Sequence, residues 1–333
     1  MKTNTSFLAA VVALAALGGA ATARAQSSVS IYGIIDSGLT HANNGSTPGA
    51  LLPGRSTADT WVMKAGNTSR LGFRGYEDLG AGGYARFQLE HRFASDTGAP
   101  SNATVFWLGR SVVAVGNKAY GEVYAGREYS AAYWVALEAD PTYWSYVSQL
   151  GSPYTYANYT PVATTVEASN IRWANSVGYK SPNWNGLTFE LAHALGENQR
   201  HPATNGNIQY RKGPLWLGAS FDRLNSKTHM ELVGGGYDFG VARPTFSYAR
   251  AKGGVNGDGK SFSLGVNVPV SFGRVYAQAG RYMPASGRDA TMFGMGTEYS
   301  LSKRTVLYAN LGTARQDRQS RTTAIDFGVK HTF

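Results

Sequence analysis

The sequence contains no cysteine among its 333 residues. A framework of disulfide bonds is therefore excluded, and so is any site that depends on a thiolate. Beyond the first 25 residues, no apolar run reaches the length of about 20 residues that a membrane-spanning helix needs. The signatures HExxH and GxSxG and the Walker nucleotide-binding sequence are also missing. We therefore expect no enzymatic activity, no cofactor and no metal site.

Residues 1–25 have the three parts of an export signal. Lys2 supplies the positive charge, an apolar segment follows, and residues 23–25 (Ala-Arg-Ala) place small side chains at a cleavage site. The apolar segment is too short to cross a bilayer comfortably. This pattern predicts cleavage before Gln26 rather than a retained anchor, and leaves residues 26–333 as a single exported domain.

From Ser28 to the C-terminus, segments of about ten residues alternate in polarity and are separated by turn residues. Since successive strand residues point to opposite faces, one face can meet lipid while the other meets water. Residues 84–93 and 187–195 show this alternation, and the last segment shows it most clearly. On one face of that segment lie Thr323, Ile325, Phe327, Val329, His331 and Phe333.

Short Gly/Asn turns alternate with longer polar connections along the chain, which is typical of a barrel in an outer membrane. Counting the segments predicts about sixteen strands. The predicted fold is therefore all-β, a transmembrane antiparallel β-barrel whose closure leaves no unpaired strand edge in the lipid. A barrel of this size encloses a lumen too wide for side chains to fill, so an aqueous channel follows.

The longest connection spans residues 129–169, and we call it the constriction loop. It contains more aromatic surface than a loop can leave in water, from Trp134, Tyr143, Trp144 and Tyr146. We expect this loop to fold into the lumen and to narrow it. The alternative is an external cap at a contact between subunits.

The formal net charge of +10 falls to +8 once Lys2 and Arg24 leave with the signal, which contains no acidic residue. A basic balance suits nucleic acid, anionic lipopolysaccharide or a pore that attracts anions. We expect no nucleic-acid partner, because the chain is exported and its basic residues are spread singly.

Several stretches of the chain resemble the general porins of β-proteobacteria, in order from one end of the mature chain to the other. They are Ser27–Gly38 (SSVSIYGIIDSG), Ser69–Gly80 (SRLGFRGYEDLG), Gly121–Arg127 (GEVYAGR), Asn175–Pro182 (NSVGYKSP), Tyr299–Tyr308 (YSLSKRTVLY) and Gly328–Phe333 (GVKHTF). The resemblance implies a sixteen-stranded barrel, a homotrimer and a long third loop folded into the lumen. The outer loops do not share it.

Three arginines have the inward parity of their strands. Arg70 is opposite in parity to Leu71 and Phe73, Arg110 to Val113, and Arg172 to Trp173. By resemblance, these arginines sit where the family places an arginine cluster at its constriction, and Glu90 sits at an acidic position of the wall. Arg86 and Arg127 are further candidates, although a β-bulge would reverse the parity of Arg127. The alternative is that each of these charged residues is a solvated charge in a wide lumen, without a special role.

Glu138 and Asp140 lie within the constriction loop, with Glu128 and Glu167 at its ends. If they face the arginines, they complete a transverse field that filters solutes by charge. The alternative is that they occupy ordinary polar loop positions. The terminal Phe333 resembles the recognition signal of the outer-membrane assembly machinery, and it also suits an aromatic girdle at the membrane interface.

These observations predict a general diffusion porin of the bacterial outer membrane that passes small hydrophilic solutes and ions and weakly prefers anions. Its expected partners are two further copies in a homotrimer, outer-membrane lipid and lipopolysaccharide, and the barrel-assembly machinery. One alternative is a channel specific for sugars or carboxylates. Others are an outer-membrane barrel enzyme, for which no nucleophile is marked near the outward His91, His193 or His331, and an exported adhesin.

Overall fold

The computed structural model describes residues 28–43, 59–150, 171–197, 202–254, 257–318 and 320–333. The predicted signal, 1–25, lies outside this range, as do residues 44–58 of the first long connection (42–68) and residues 151–169 of the constriction loop. The described chain forms seventeen strand segments and one helix. In order they are β1 Ser28–Ala42, β2 Thr60–Met63, β3 Ser69–Gly80, β4 Gly83–Phe93, β5 Arg110–Asn117, β6 Gly121–Tyr129, α1 Ala131–Ala139, β7 Arg172–Lys180, β8 Leu187–Ala194, β9 Ala203–Lys212, β10 Leu215–Arg223, β11 His229–Tyr237, β12 Arg243–Gly254, β13 Gly257–Val270, β14 Gly273–Pro284, β15 Ala290–Ser300, β16 Thr305–Gln316 and β17 Thr322–Thr332.

Every strand pairs antiparallel with its neighbours, and pairing of β1 with β17 closes the sheet into a barrel. The short β2 pairs with residues 39–42 of β1, beyond the stretch of β1 that pairs with β3. β2 therefore lies on the same side of β1 as β3 and continues the line of β3. Counted as one strand, β2 and β3 bring the described barrel to sixteen strands. At the seam, the backbone N–H groups of Gly33 and Phe333 each donate to the other residue's carbonyl oxygen at 3.1 Å. The predicted sixteen-stranded antiparallel barrel is confirmed.

The predicted alternation between lipid and lumen is present in β17. Ile325, Phe327 and Val329 are exposed on the outer surface, whereas Ala324 and Asp326 between them are buried. Pairing between strands satisfies the backbone N–H and carbonyl groups. The outer surface can therefore be apolar without leaving backbone groups unpaired in the lipid. No helix of the described residues is long and apolar enough to cross a membrane.

Ser130 caps the N-terminus of α1, since its side-chain oxygen accepts a hydrogen bond from the backbone N–H of Tyr133. The helix ends before Asp140, because the following proline disfavours a helical conformation at that residue. One face of α1 carries small or apolar residues at helical spacing, and this face packs on inward side chains of β10, β11 and β12. The packed residues are Ala132, Val135, Ala136 and Ala139 of α1 with Trp216, Met230, Leu232, Ala249 and Ala251 of the wall.

The described part of the constriction loop, residues 129–150, thus lies inside the barrel, as predicted. After α1, the chain continues across the inner wall toward β14–β17, where Val147 and Leu150 pack with Tyr282 and Met292. Apolar side chains point into the lumen along this route only because the loop covers them. The packing energy of the loop therefore comes from the hydrophobic effect on the lumen side of the wall.

Candidate functional site

Tyr129 ends β6 on the side of the barrel where the long connections lie, and three arginines meet its buried side chain. Arg92 Nη2 donates to Tyr129 Oη at 2.6 Å, and Arg172 Nη2 donates to the same oxygen at 2.8 Å. The guanidinium carbon of Arg110 lies 5.1 Å from the centre of the Tyr129 ring, within the range of a cation–π contact. Strands β4, β5 and β7 therefore deliver their arginines to one point.

Two buried carboxylates hold these guanidinium groups in place. Glu90 Oε1 lies 2.6 Å from Arg92 Nη2, and Glu128 Oε1 lies 2.7 Å from Arg110 Nε. Lys180 Nζ lies 3.3 Å from the second oxygen of Glu128. A buried charge is costly unless it is paired, so these ion pairs fix the arginine side chains rather than leave them mobile.

Arg70 extends this group, since it lies directly opposite Arg92 in the pairing of β3 with β4. Its Nη2 donates to Asn67 Oδ1 at 2.5 Å and to the Thr68 carbonyl oxygen at 3.3 Å. Among the residues that the structure describes, the carboxylates that pair with these guanidinium groups are Glu90 and Glu128, fewer than the four guanidinium groups themselves. We call this group the arginine cluster: Arg70, Arg92, Arg110 and Arg172.

Aromatic side chains of the constriction loop form a platform beside the arginine cluster. The rings of Tyr129 and Tyr133 stack with their centroids 4.1 Å apart, and Trp134 lies 5.2 Å from Tyr129. The Arg110 guanidinium carbon is 5.1 Å from the centre of the Trp134 ring. Because a guanidinium is planar and weakly hydrated, these contacts orient it while it keeps its charge.

The two loop acids do not join the arginine cluster. Glu138 reaches the other side of the lumen, where its Oε1 lies 2.9 Å from Arg211 Nη2 and 2.5 Å from Arg243 Nη2. Asp140 is buried and accepts hydrogen bonds from the backbone N–H groups of Thr142 and Leu150, at 2.8 and 2.9 Å. Asp140 therefore shapes the loop and also accepts a hydrogen bond from Gln278 Nε2 of β14 at 3.1 Å, and Glu138 ties the loop to β9 and β12.

Arg86 and Arg127 also lie outside the arginine cluster. Arg86 forms an ion pair with Glu122 of β6, closer to the short turn that follows β3. Arg127 is buried, and its Nε donates to the Leu108 carbonyl oxygen at 3.1 Å. Of the wall residues predicted from sequence, the structure brings together Glu90, Arg70, Arg110 and Arg172.

A β-bulge lies near Arg127, but its extra residue is on the neighbouring strand. Between the pairs Gly126–Ser176 and Glu128–Trp173, β6 advances by two residues and β7 by three. Asn175 has a φ of 55°, and bulges are accommodated by such backbone conformations. The bulge reverses the parity of Trp173, which sequence alternation places outward; the structure packs it with the inward Ala194 and Ala203. Arg172 still reaches Tyr129 from the end of its strand.

Buried polar contacts anchor the loop after α1. Tyr146 Oη donates to Glu298 Oε1 at 2.5 Å, and the backbone N–H of Val147 donates to Asp326 Oδ2 at 2.9 Å. Burial, and after it the Glu298 carboxylate, raise the pKa of the Tyr146 phenol above its usual range, so it remains a donor. Gly294 of β15 makes room for this segment, because a Cβ there would overlap the carbonyl oxygen of Ser148.

Sequence reasoning missed Arg92 and understated Glu128. The signal for Arg92 was present, because alternation places it on the same face as Glu90 two residues earlier. The role of Glu128 depends on contacts with Arg110 and Lys180 from two other strands, and no spacing in the sequence reveals them. Among the residues that the structure describes, no three His, Asp or Glu side chains are grouped so as to hold a metal ion.

A barrel with this interior can conduct solutes and select them by charge. The lumen of sixteen strands is wide, the constriction loop narrows it from within, and fixed arginines carry excess positive charge on the wall. Such charges act more strongly in a narrow passage than in bulk water, since few water molecules screen them.

Comparisons with known proteins agree with this architecture. The family model for Gram-negative porins matches residues 9–319. Outer membrane porin protein 32 of Delftia acidovorans is 31% identical over 97% of this chain and 99% of its own length. An outer membrane porin of Bordetella pertussis is 27% identical over 98% of this chain and 99% of its own. The structure of an anion-selective porin from Comamonas acidovorans matches with a TM-score of 0.76 and 26% identity, and covers 92% of this chain and 100% of the other.

The match to the family model and the 31% identity both extend over nearly the whole chain. The barrel places apolar residues toward lipid and a narrowed, charged passage inside, as an outer-membrane channel requires. The chain belongs to the Gram-negative porin family and is a channel protein of the bacterial outer membrane.

Proposed function

We propose that this porin is a general diffusion channel for small hydrophilic solutes and ions, with a preference for anions set by the arginine cluster. The proposal depends mainly on one observation, the excess of guanidinium groups over carboxylates around Tyr129 among the described residues. Two acids of the constriction loop that could offset this excess are engaged elsewhere: Glu138 pairs with Arg211 and Arg243, and Asp140 accepts hydrogen bonds within the loop. Glu167, near the end of the loop, lies outside the described residues. The anion-selective porin from Comamonas acidovorans, which is similar in structure at 26% identity, supports the same direction of selectivity.

Planar-bilayer recording tests the proposal. The wild-type channel should give a reversal potential that favours chloride across a KCl gradient. Replacing Arg110 and Arg172 together by alanine should shift that potential toward potassium, because two of the four cations of the arginine cluster are lost. An unchanged reversal potential in the folded double variant would show that selectivity arises elsewhere in the pore.

A channel specific for sugars would need a continuous aromatic track along the lumen. Tyr146 is fully buried against the wall, and Trp144 packs on the apolar residues between α1 and β10–β12. Neither ring lines such a track. Small carboxylates remain compatible with the arginine cluster, since a guanidinium binds a carboxylate in two-point fashion. Saturable flux of one carboxylate would identify specific transport, and linear flux would identify simple diffusion.

The outward histidines do not favour a catalytic role. His91 Nδ1 lies 2.6 Å from the carbonyl oxygen of Phe106, and His193 and His331 bond to the hydroxyl groups of Thr204 and Thr305. A hydrolase of the serine type pairs its histidine with a serine nucleophile. We therefore propose that the barrel acts as a channel alone.

Further proposals concern processing and assembly. We propose that residues 1–25 are removed on export and that the domain 26–333 forms a homotrimer that contacts lipopolysaccharide and is inserted by the barrel-assembly machinery. Phe333 supports the last of these, because it is the final pairing residue of the seam with β1. Deletion of Phe333 should lower the yield of trimers that migrate as heat-sensitive species in detergent gels. Normal trimer yield would count against the role of Phe333 in assembly.

A further inference from the structure

The outer surface of β10, β12 and β13 carries a row of basic side chains at the end where the long connections lie. We call it the basic row: Arg223, Arg250, Lys252 and Lys260. The residues next to them in sequence, Asp222, Ala249, Ala251 and Ser261, are buried on the lumen side. The basic side chains therefore point away from the lumen, toward the surroundings of the barrel.

The strand register sets like charges against each other in this row. Arg250 and Lys260 are direct partners in the pairing of β12 with β13, where facing side chains lie about 5 Å apart and like charges destabilise the sheet. Glu231 of β11 lies opposite Arg250 in the strand register. Its carboxylate oxygen Oε1 lies 3.5 Å from Nε2 of His229. In the described part of the chain, no carboxylate forms an ion pair with any of the four basic side chains.

The position of the row matches the level of lipid head groups. Two residues closer to the short turns, the same outward face carries Phe221, Tyr248 and Phe262, all more than a third exposed. Outward aromatic residues mark the boundary between hydrocarbon and head groups in such barrels. A groove of about 400 Å³ beside Tyr248 and Arg250 joins the apolar and the basic levels.

The opposite part of the outer wall differs. The outward positions within β1, β3, β4 and β17 contain neither lysine nor arginine; near the strand ends that meet the long connections they carry His41, Leu71, His91 and Ile325. A neutral wall suits contact with another protein subunit, whereas a wall of unpaired cations does not. The basic row is thus a local feature that requires an anionic neighbour.

We propose that the basic row binds the phosphate groups of lipopolysaccharide in the outer leaflet. This inference rests on the contact with lipopolysaccharide proposed above, and it assigns that contact to one face of the barrel. A phosphate between Arg250 and Lys260 accepts hydrogen bonds from both and removes their mutual repulsion. The acyl chains of the same lipid lie along Phe221, Tyr248 and Phe262, whose exposed rings provide apolar surface.

Binding of purified lipid A to the folded trimer in detergent, followed by native mass spectrometry, tests the proposal. The double variant Arg250→Gln plus Lys260→Gln should bind bis-phosphorylated lipid A about tenfold or more weakly than wild type. Dephosphorylated lipid A should bind wild type and the double variant equally and weakly. Arg281→Gln is the matched control, since Arg281 lies outward on β14 but already pairs with Asp289 at 2.6 Å.

The outcomes separate the site from the partnership. If the double variant retains wild-type affinity, or if Arg281→Gln weakens binding as strongly, the basic row is not the site. If wild type itself shows no preference for the phosphorylated lipid, the lipid partnership fails with it. Channel conductance measured on the same samples decides the proposed transport function independently, and heat-sensitive migration in gels verifies that each variant is folded.

Discussion

The two sides of the lumen use their polar groups differently. On the side formed by β3–β7, guanidinium groups outnumber carboxylates around Tyr129 in the part of the chain that the structure describes. On the side formed by β9–β17, charged and amide groups are engaged in holding the constriction loop, as in the contacts of Asp326 with Val147 and of Arg243 with Glu138. On the first side, guanidinium groups remain to act on passing solutes. On the second side, the charged groups bind the constriction loop.

This difference shows why a loop that enters a lumen has to be anchored on one wall. Burying its backbone removes water from many N–H and carbonyl groups, and each needs a partner in the wall. The wall supplies side chains such as Gln278, which donates to the Ser148 carbonyl oxygen at 2.7 Å. Selectivity then depends on the side whose charged groups do not anchor the loop.

The largest effect is expected from releasing the loop. Gly294→Val places side-chain atoms where the Ser148 carbonyl oxygen lies, so the segment around Ser148 has to move away from β15. Because the loop narrows the lumen, we expect single-channel conductance to rise by roughly twofold. Thr291→Val, on the outward face of the same strand, is the control and should conduct like wild type. Unchanged conductance in folded Gly294→Val would mean that this segment does not limit the pore.

A smaller effect is expected from weakening the charged side. Arg92→Gln removes one guanidinium and leaves Glu90 without its 2.6 Å partner, so the local potential becomes less positive. We expect the ratio of chloride to potassium permeability to fall by about threefold. Arg74→Gln serves as control, since Arg74 is exposed and bonds to Ser30 away from Tyr129. Equal permeability ratios for the two variants would argue against a special role of the arginine cluster.

The smallest effect is expected on the anchored side. Glu138→Gln removes the carboxylate that pairs with Arg211 and Arg243 and leaves two cations facing the lumen. Anion preference should increase, by less than about twofold, because Arg211 is half-exposed and screened by salt. Glu231→Gln, on the outer surface, should leave the reversal potential unaltered. A shift toward potassium in Glu138→Gln would contradict the assigned geometry.

Strict alternation predicted a large part of the site. It placed Arg70, Glu90 and Arg110 on the lumen side, and the structure brings them together. It failed at Trp173, because one extra residue in β7 shifts the register, and nothing in the local sequence marks Asn175 as the bulge. The alternation of side chains between the two faces of a strand does not predict which face a residue occupies beyond such an inserted residue.

The loop acids show a second limit of sequence reasoning. The composition of residues 129–169 indicated a loop that folds inward, since its aromatic surface has to be buried, and the described part, 129–150, does fold inward. Where Glu138 and Asp140 point depends on the path of that loop across β9–β17, and the path is set by distant residues such as Gly294 and Asp326. These partners are more than 140 residues away in the sequence.

By itself, the sequence determined the barrel, its approximate strand number and which face of most strands meets lipid. Those features follow from local periodicity and from the need to pair every backbone group in the membrane. Only the tertiary structure decided which charges face the open lumen. That outcome depends on which of the inward arginines find carboxylate partners, and partners are chosen by strand register and by the route of the constriction loop.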